Sequence, residues 1–189
     1  MKTNIIVVDD FYTNPDEVRN FALSQDFNIS GNYPGLRTKS FLSDSCKDAI
    51  NNLLLYNAGG VTDWMVENNG EGGGTGSFQI CTSQDRTWIH TDPYNNWAGV
   101  CFLTPDAPLS GGTATYIHKK SKERTFIENS LYEKDHYDYT QWEILDRIGN
   151  IYNRLVLFRG DLYHASVDYF GNNKENGRLF QLFFFNTAY

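Results

Sequence analysis

The sequence is short of cysteine, of positive charge and of long apolar runs, and each shortage removes a class of function. Its three cysteines, Cys46, Cys81 and Cys101, are odd in number and far apart, which argues against a zinc knuckle or a redox pair; they read as reduced, buried small residues. Lysine and arginine number 16 against 23 aspartates and glutamates, a formal charge of −7. Such a field repels a phosphate backbone and disfavours nucleic acid as a partner. The densest basic cluster, "HKKSKER" from His118 to Arg124, reads as a solvated loop. The apolar run that opens the chain stops at Asp9 and Asp10, too short and too acidic for a signal peptide, and no later run could span a bilayer. A cytoplasmic protein without a membrane partner is the expectation. Internal repeats and low-complexity tails are absent as well.

Aromatic residues are plentiful. With 4 Trp, 12 Tyr and 13 Phe, the 189 residues have ample apolar payload for one core without staples, so a single domain over 1–189 is expected. Residues 1–60 read as an α-rich support. "NIIVV" (Asn4 to Val8) suits a strand, and Thr13 or Asn14 with Pro15 opens a helix bearing Val18, Phe21 and Ala22 on one side. Ser43 or Asp44 caps a second helix, with Ala49, Ile50, Leu53 and Leu54 at helical spacing. From residue 61 onward the texture changes to short runs such as "FQICT", "AGVCFL", "ATYIH", "RLVLF" and "RLFQLFFF" between turn signals, the pattern of a β-sandwich or barrel. The Gly-rich stretch from Asn68 to Ser77 lacks the Lys-Ser or Lys-Thr of a phosphate loop and reads as a loop or lid. "YTQWEILDRIGNIYNRLVLF" fits both periods: Trp142, Leu145 and Ile148 are helically spaced, while the residues after Asn153 suit a strand.

The residues that could carry chemistry lie in the β-rich part. In "TWIHTDPYNNW", His90 and Asp92 fall on the same side if the backbone is extended, because strand side chains alternate with period two. An imidazole and a carboxylate so placed can share one metal ion. "LFRGDLYHASVDYF" supplies His164 as a third donor on another strand, and two histidines with one carboxylate make the facial triad of non-haem Fe(II) oxygenases. Taken alone, a His beside an Asp is more often a hydrogen-bonded pair than a ligand set. Arg178 opens the apolar strand "RLFQLFFF", with Phe180 and Leu182 on its side of the alternation. A guanidinium at the edge of an apolar face suits a planar carboxylate; the structural alternative is a salt bridge to Asp161, Asp168 or Glu175. Asp161 precedes His164 by three residues and so falls on the opposite strand face. His118 and His136 read as loop histidines, His118 exposed in a polar turn.

The "HTD" pair, "LVLFRGDLYHAS" and "GRLFQLFFF" together resemble the Fe(II)- and 2-oxoglutarate-dependent dioxygenases, above all their prolyl-hydroxylase-like branch. "SGGTATY" (Ser110 to Tyr116) is similar to the Gly-Gly turn into a core strand that follows HxD there. The resemblance spans roughly Phe78 to Asn186 and implies a mainly β chain with flanking helices, folded as a double-stranded β-helix (jelly roll, cupin-like). It implies that His90, Asp92 and His164 are the catalytic metal ligands and Arg178 the anchor of the co-substrate, with Arg159 as a rival because the "FGNNKENG" loop lengthens the family spacing. Fe(II), 2-oxoglutarate and O2 would be required, and a peptidyl (prolyl) side chain or a small amino-acid-like substrate would be hydroxylated with release of succinate and CO2. The rival expectations are a non-enzymatic cupin-like binding protein and a His/Asp/His metal-dependent hydrolase or isomerase.

Overall fold

The computed structural model describes residues 3–66, 73–127 and 132–188. Its larger sheet runs in the order β1 (Ile5–Val8), β9 (Leu155–Arg159), β6 (Trp97–Phe102), β11 (Arg178–Thr187), β5 (Ser77–Cys81), β3 (Tyr33–Ser40) and β2 (Ile29–Gly31). An eighth strand, β4 (Val61–Trp64), pairs with the far end of β11. The smaller sheet is β10 (His164–Ser166), β7 (Thr113–His118) and β8 (Trp142–Ile148). Every pairing is antiparallel.

The central strands read as unbroken apolar runs because both of their faces are covered. Along β11, Leu179, Phe183 and Phe185 point to one side and Phe180 and Leu182 to the other. β6 divides its residues in the same way, with Trp97 and Cys101 on the first side and Ala98, Val100 and Phe102 on the second. Two helices cover the first side. In α2 (Asp44–Ala58), Cys46, Ile50, Leu54 and Ala58 recur every four residues and form its buried stripe against Phe183 and Phe185. α1 (Pro15–Leu23) adds Ala22, with Val18 partly buried beside it. Ser43 caps α2, its hydroxyl accepting from the Cys46 amide at 3.2 Å. Asn14 heads α1 without a side-chain cap, leaving Pro15, Asp16 and Glu17 as its start signals. The three cysteines are buried free thiols, and burial raises the pKa of each.

Two local readings gain detail. The first sixty residues contribute three strands to the larger sheet as well as two helices. Of these, only β1 is legible from composition. The helical spacing of Trp142, Leu145 and Ile148 is overruled: these residues form β8, whose pairing with β7 runs from Thr113 opposite Ile148 to His118 opposite Trp142. β8 is an edge strand, and its exposed Glu143, Asp146 and Arg147 protect that edge from pairing with another chain.

Candidate metal centre

The second face of the larger sheet looks across a cavity at the smaller one. That cavity is lined by Val100, Phe158, Phe180 and Leu182 from the larger sheet and by Thr113, His164 and Ser166 from the smaller. It holds about 90 Å³ and opens beside His90 and Asp92 into an outer hollow of about 390 Å³.

His90, Asp92 and His164 converge at this junction. Their nearest ligand atoms all lie within 4.8 Å of one another, and they are a group of three or more metal-ligating side chains among the described residues. The backbone brings the two histidines together. The His90 amide donates to the His164 carbonyl at 2.9 Å, and the His164 amide donates to the His90 carbonyl at 2.8 Å. Residues that exchange both bonds in an antiparallel bridge project their side chains to the same side, and the rings stand 4.4 Å apart between centres. Asp92 is fixed by its own amide, which donates to the Gly160 carbonyl at 2.7 Å. Its Oδ2 lies 3.5 Å from His164 Nε2.

Ring orientation follows from the second nitrogen of each histidine. Nδ1 of His90 is 3.0 Å from the Trp88 carbonyl, and Nδ1 of His164 is 2.8 Å from the Leu162 carbonyl. A carbonyl only accepts, so each Nδ1 carries a proton, which leaves Nε2 as the nitrogen that a metal ion would use. Burial and the neighbouring His164 draw the His90 pKa down to about 4, which keeps it neutral at physiological pH. Burial pushes Asp92 upward, but the His164 bond and the nearby His164, His90 and Arg37 outweigh it and hold the carboxyl below its usual range. The donor set is thus two imidazoles and one carboxylate, which fits a divalent ion of the iron, manganese or nickel type.

Arg178 lines the same cavity and is 1 % exposed. Its Nε donates to the Gly111 carbonyl at 2.7 Å, and Nη2 has long contacts to the Gly112 carbonyl at 3.5 Å and Thr113 Oγ1 at 3.4 Å. Nη1 is buried without a hydrogen-bond partner. The salt-bridge alternative is not realised. Asp161 pairs with Arg159 at 3.5 Å, Asp168 accepts from Ser110 at 3.4 Å, and Glu175 offers Arg19 only its backbone carbonyl. Arg159 lies outside the cavity lining, its guanidinium stacked 5.9 Å from the Trp97 ring centre. An inward guanidinium with an orphaned Nη1 is the feature a carboxylate ligand would complete.

The Gly111-Gly112 turn before β7 is built to present those carbonyls. A Cβ at Gly112 would lie 1.9 Å from the Ile148 carbonyl oxygen, a backbone atom that cannot rotate aside. Gly112→Ala is therefore expected to destabilise the protein by roughly 1–3 kcal/mol, the usual cost of overpacking. Urea unfolding measures it; a value near zero would mean that this turn is loose.

Other residues fall differently from their sequence-based readings. His118 is buried rather than exposed, because its Nδ1 is 2.9 Å from Ser121 Oγ and its Nε2 is 3.1 Å from Asp135 Oδ2, while its ring packs on Trp142. Pro93, Tyr94 and Asn95 do border the outer hollow, as do Gly73 and Gly74. The rest of the proposed lid, residues 68–72, lies outside the described residues, as does Leu131 of the stretch Leu131 to Thr140, which the sequence reading also sets at the mouth. Arg37, Tyr33 and Tyr169 line the inner cavity without having been signalled by any motif.

Neither a protein-family model nor a curated protein sequence matches the chain. Solved structures do. HygX from Streptomyces hygroscopicus, solved with nickel, 2-oxoglutarate and hygromycin B bound, superposes with a TM-score of 0.68 at 9% identity, over 100% of this chain and 84% of that one. A prolyl-4-hydroxylase from Pseudomonas putida gives 0.52 at 13% identity, over 98% and 94% of the two chains. A prolyl hydroxylase from Trichoplax adhaerens, solved with a hypoxia-inducible-factor peptide fragment, gives 0.53 at 14% identity over 96% and 83%. This chain has the prolyl-hydroxylase fold. As a double-stranded β-helix, it carries the His90, Asp92 and His164 cluster between its two sheets, with helices on the outer face of the larger one. Among the described residues, no helix is long and apolar enough to cross a membrane.

Proposed function

We propose that the chain is an Fe(II)- and 2-oxoglutarate-dependent oxygenase, acting as one domain, in which His90, Asp92 and His164 hold the metal and Arg178 anchors the distal carboxylate of 2-oxoglutarate. One observation carries this reading: three oriented donors and a buried cation without a counter-charge line one cavity between the sheets. A zinc hydrolase or a purely structural cupin-like protein has a use for the donors but none for a buried, half-satisfied guanidinium. The structural neighbours support the same choice, since HygX was solved with 2-oxoglutarate bound.

Iron with 2-oxoglutarate and O2 supplies the oxidising chemistry, releasing succinate and CO2 as oxygen is inserted into a C–H bond. The chain's own share is positioning and exclusion of water. The Trp88 and Leu162 carbonyls hold both imidazoles in the ligating tautomer. Phe158, Phe180 and Leu182 keep the inner cavity apolar, which strengthens the charge pairing of Arg178 with a carboxylate. The outer hollow, beyond His90 and Asp92, receives the substrate, for which a prolyl or other amino-acid-like group is our first assignment.

The direct test is anaerobic addition of Fe(II) and 2-oxoglutarate, expected to give the weak visible charge-transfer band of the chelate. With O2, succinate should form, and peptide and amino-acid panels should reveal a one-oxygen mass gain. A colourless complex that forms no succinate would sink the assignment.

A further inference from the structure

Arg37 is a second buried cation, at the junction of the two hollows. It lines both, together with Tyr33, Trp88, His90, Asp92 and Phe184. It stands on β3 opposite Gln79 of β5 and is 9% exposed. Its Nε donates to Gln79 Oε1 at 2.7 Å, its Nη1 donates to the Gly73 carbonyl at 2.8 Å, and its guanidinium carbon lies 3.6 Å from the Tyr33 ring centre. All of these partners are neutral. Among the described residues, no carboxylate forms an ion pair with Arg37, and its Nη2 makes no hydrogen bond. Burial draws its pKa down to about 10, so it remains a cation at neutral pH.

A buried guanidinium whose hydrogen-bond partners are all neutral, with the Asp92 carboxylate nearby but not paired to it, is costly unless something anionic arrives. Charge balance in the loaded site gives the same answer. Among the described residues, those lining the two hollows include Arg37 and Arg178 but only one carboxylate, Asp92. With both imidazoles as neutral donors, these side chains sum to a single positive charge. A divalent ion and the 2-oxoglutarate dianion then cancel each other, so the excess persists when metal and co-substrate are bound. Arg178 lies on the inner cavity alone, whereas Arg37 also faces the outer hollow, where the aromatic walls Tyr33, Trp88, Tyr94 and Phe184 offer an apolar seat.

We propose that the outer hollow takes a substrate bearing a carboxylate, gripped by Arg37 Nη2, with its apolar body against the aromatic walls. The proposal rests on the oxygenase reading and narrows its substrate class to anionic compounds. The carboxylate could be that of a free amino acid or of an acidic group on a peptide. Because Arg37, His90 and Asp92 share the junction, the oxidised carbon should be close to that carboxylate.

The test uses the full chain loaded with Mn(II) and 2-oxoglutarate and followed by calorimetric titration. Its probes are free amino acids, N-acetyl amino acids and the matching N-acetyl amino-acid amides. At least one carboxylate should bind about ten- to hundredfold tighter than its own amide, the range expected for one buried charge-assisted contact. Arg37→Met should erase that preference and Arg37→Lys should retain part of it, with circular dichroism confirming that both variants fold. Preference for free over N-acetylated acids would point to a metabolite; the reverse would point to a peptide. Equal binding of acids and amides across the panel, or a preference that survives Arg37→Met, overturns the proposal. So does a greater loss for 2-oxoglutarate than for the probe in Arg37→Met, which would make Arg37 a co-substrate contact. Failure of the oxygenase reading is seen earlier and separately, as absent 2-oxoglutarate binding in the wild type before any probe is added.

Discussion

Asp92→Ala is expected to abolish metal binding at micromolar ion concentrations and, with it, all turnover of 2-oxoglutarate. Asp92 is the only charged donor of the three, and its carboxylate is already held in ionised form by His164 and Arg37. Losing an outer partner of a metal ligand typically costs about 10–100-fold in affinity, and removal of the anionic ligand itself should exceed that. Titration with Mn(II) followed by electron paramagnetic resonance measures the loss directly, without depending on activity. Asp92→Asn separates charge from shape, since the amide can still coordinate through oxygen; it should bind metal more weakly than wild type but better than Asp92→Ala. If Asp92→Ala kept wild-type affinity, the carboxylate would be only a hydrogen-bond partner of His164. The common structural role of an HxD pair would then stand.

The features legible in the sequence were those with a period or a fixed chemical identity. Ile50 and Leu54 lie on the buried stripe of α2, and the runs at β6, β9 and β11 became strands because both of their faces are covered. His90 and Asp92 were legible through period two, although only His90 takes part in a bridge; Asp92 lies just beyond it, held by Gly160. Arg178 stood out as a lone charge at the head of an apolar strand. Arg37 did not, because "YPGLRTKS" mixes Pro34, Gly35 and two cations and has no strand pattern of its own. Its strand state comes from pairing with β5, where Gly35, at φ +69°, lets the chains approach so closely that a Cβ would lie 2.0 Å from the Ile80 carbonyl oxygen. β8 is ambiguous in sequence for a related reason: three apolar residues at helical spacing carry no instruction once β7 offers an unpaired edge. Buried His118 was hidden by its charged neighbours, which stay outside while the ring turns inward onto Trp142.

Arg178→Met is expected to shift stability and function in opposite directions. In the free protein, Arg178 is a buried cation with one nitrogen unpaired, which disfavours its charged form and draws its pKa down by burial. The methionine chain fills much of the same space against Phe102 and Phe180, the rings that now face the guanidinium. Little is orphaned by the change, because the Gly111 carbonyl keeps its bond from Asn150 Nδ2 at 3.1 Å. Replacing an uncompensated buried charge by an apolar group of similar size is often neutral or stabilising by about 1–4 kcal/mol, so the variant without ligand should unfold at or above the wild-type denaturant midpoint. Co-substrate binding should fall by at least one to two decades, the worth of a charge-assisted contact of about 1.5–3 kcal/mol. Ligand-induced stabilisation shows the contrast. At a 2-oxoglutarate concentration about 100 times the wild-type Kd, with saturating metal, the wild type gains roughly 2.7 kcal/mol; a hundredfold weaker variant gains only about 0.4 kcal/mol. For a chain of this length, that is a thermal shift of roughly 5–11 °C reduced to about 1–2 °C. Arg159→Met should leave the ligand-induced shift intact, since Arg159 is already occupied by Asp161 and Trp97 outside the cavity. The reverse pattern, with the shift lost in Arg159→Met and kept in Arg178→Met, would move the anchor to Arg159 and leave the orphaned Nη1 without a ligand to explain it.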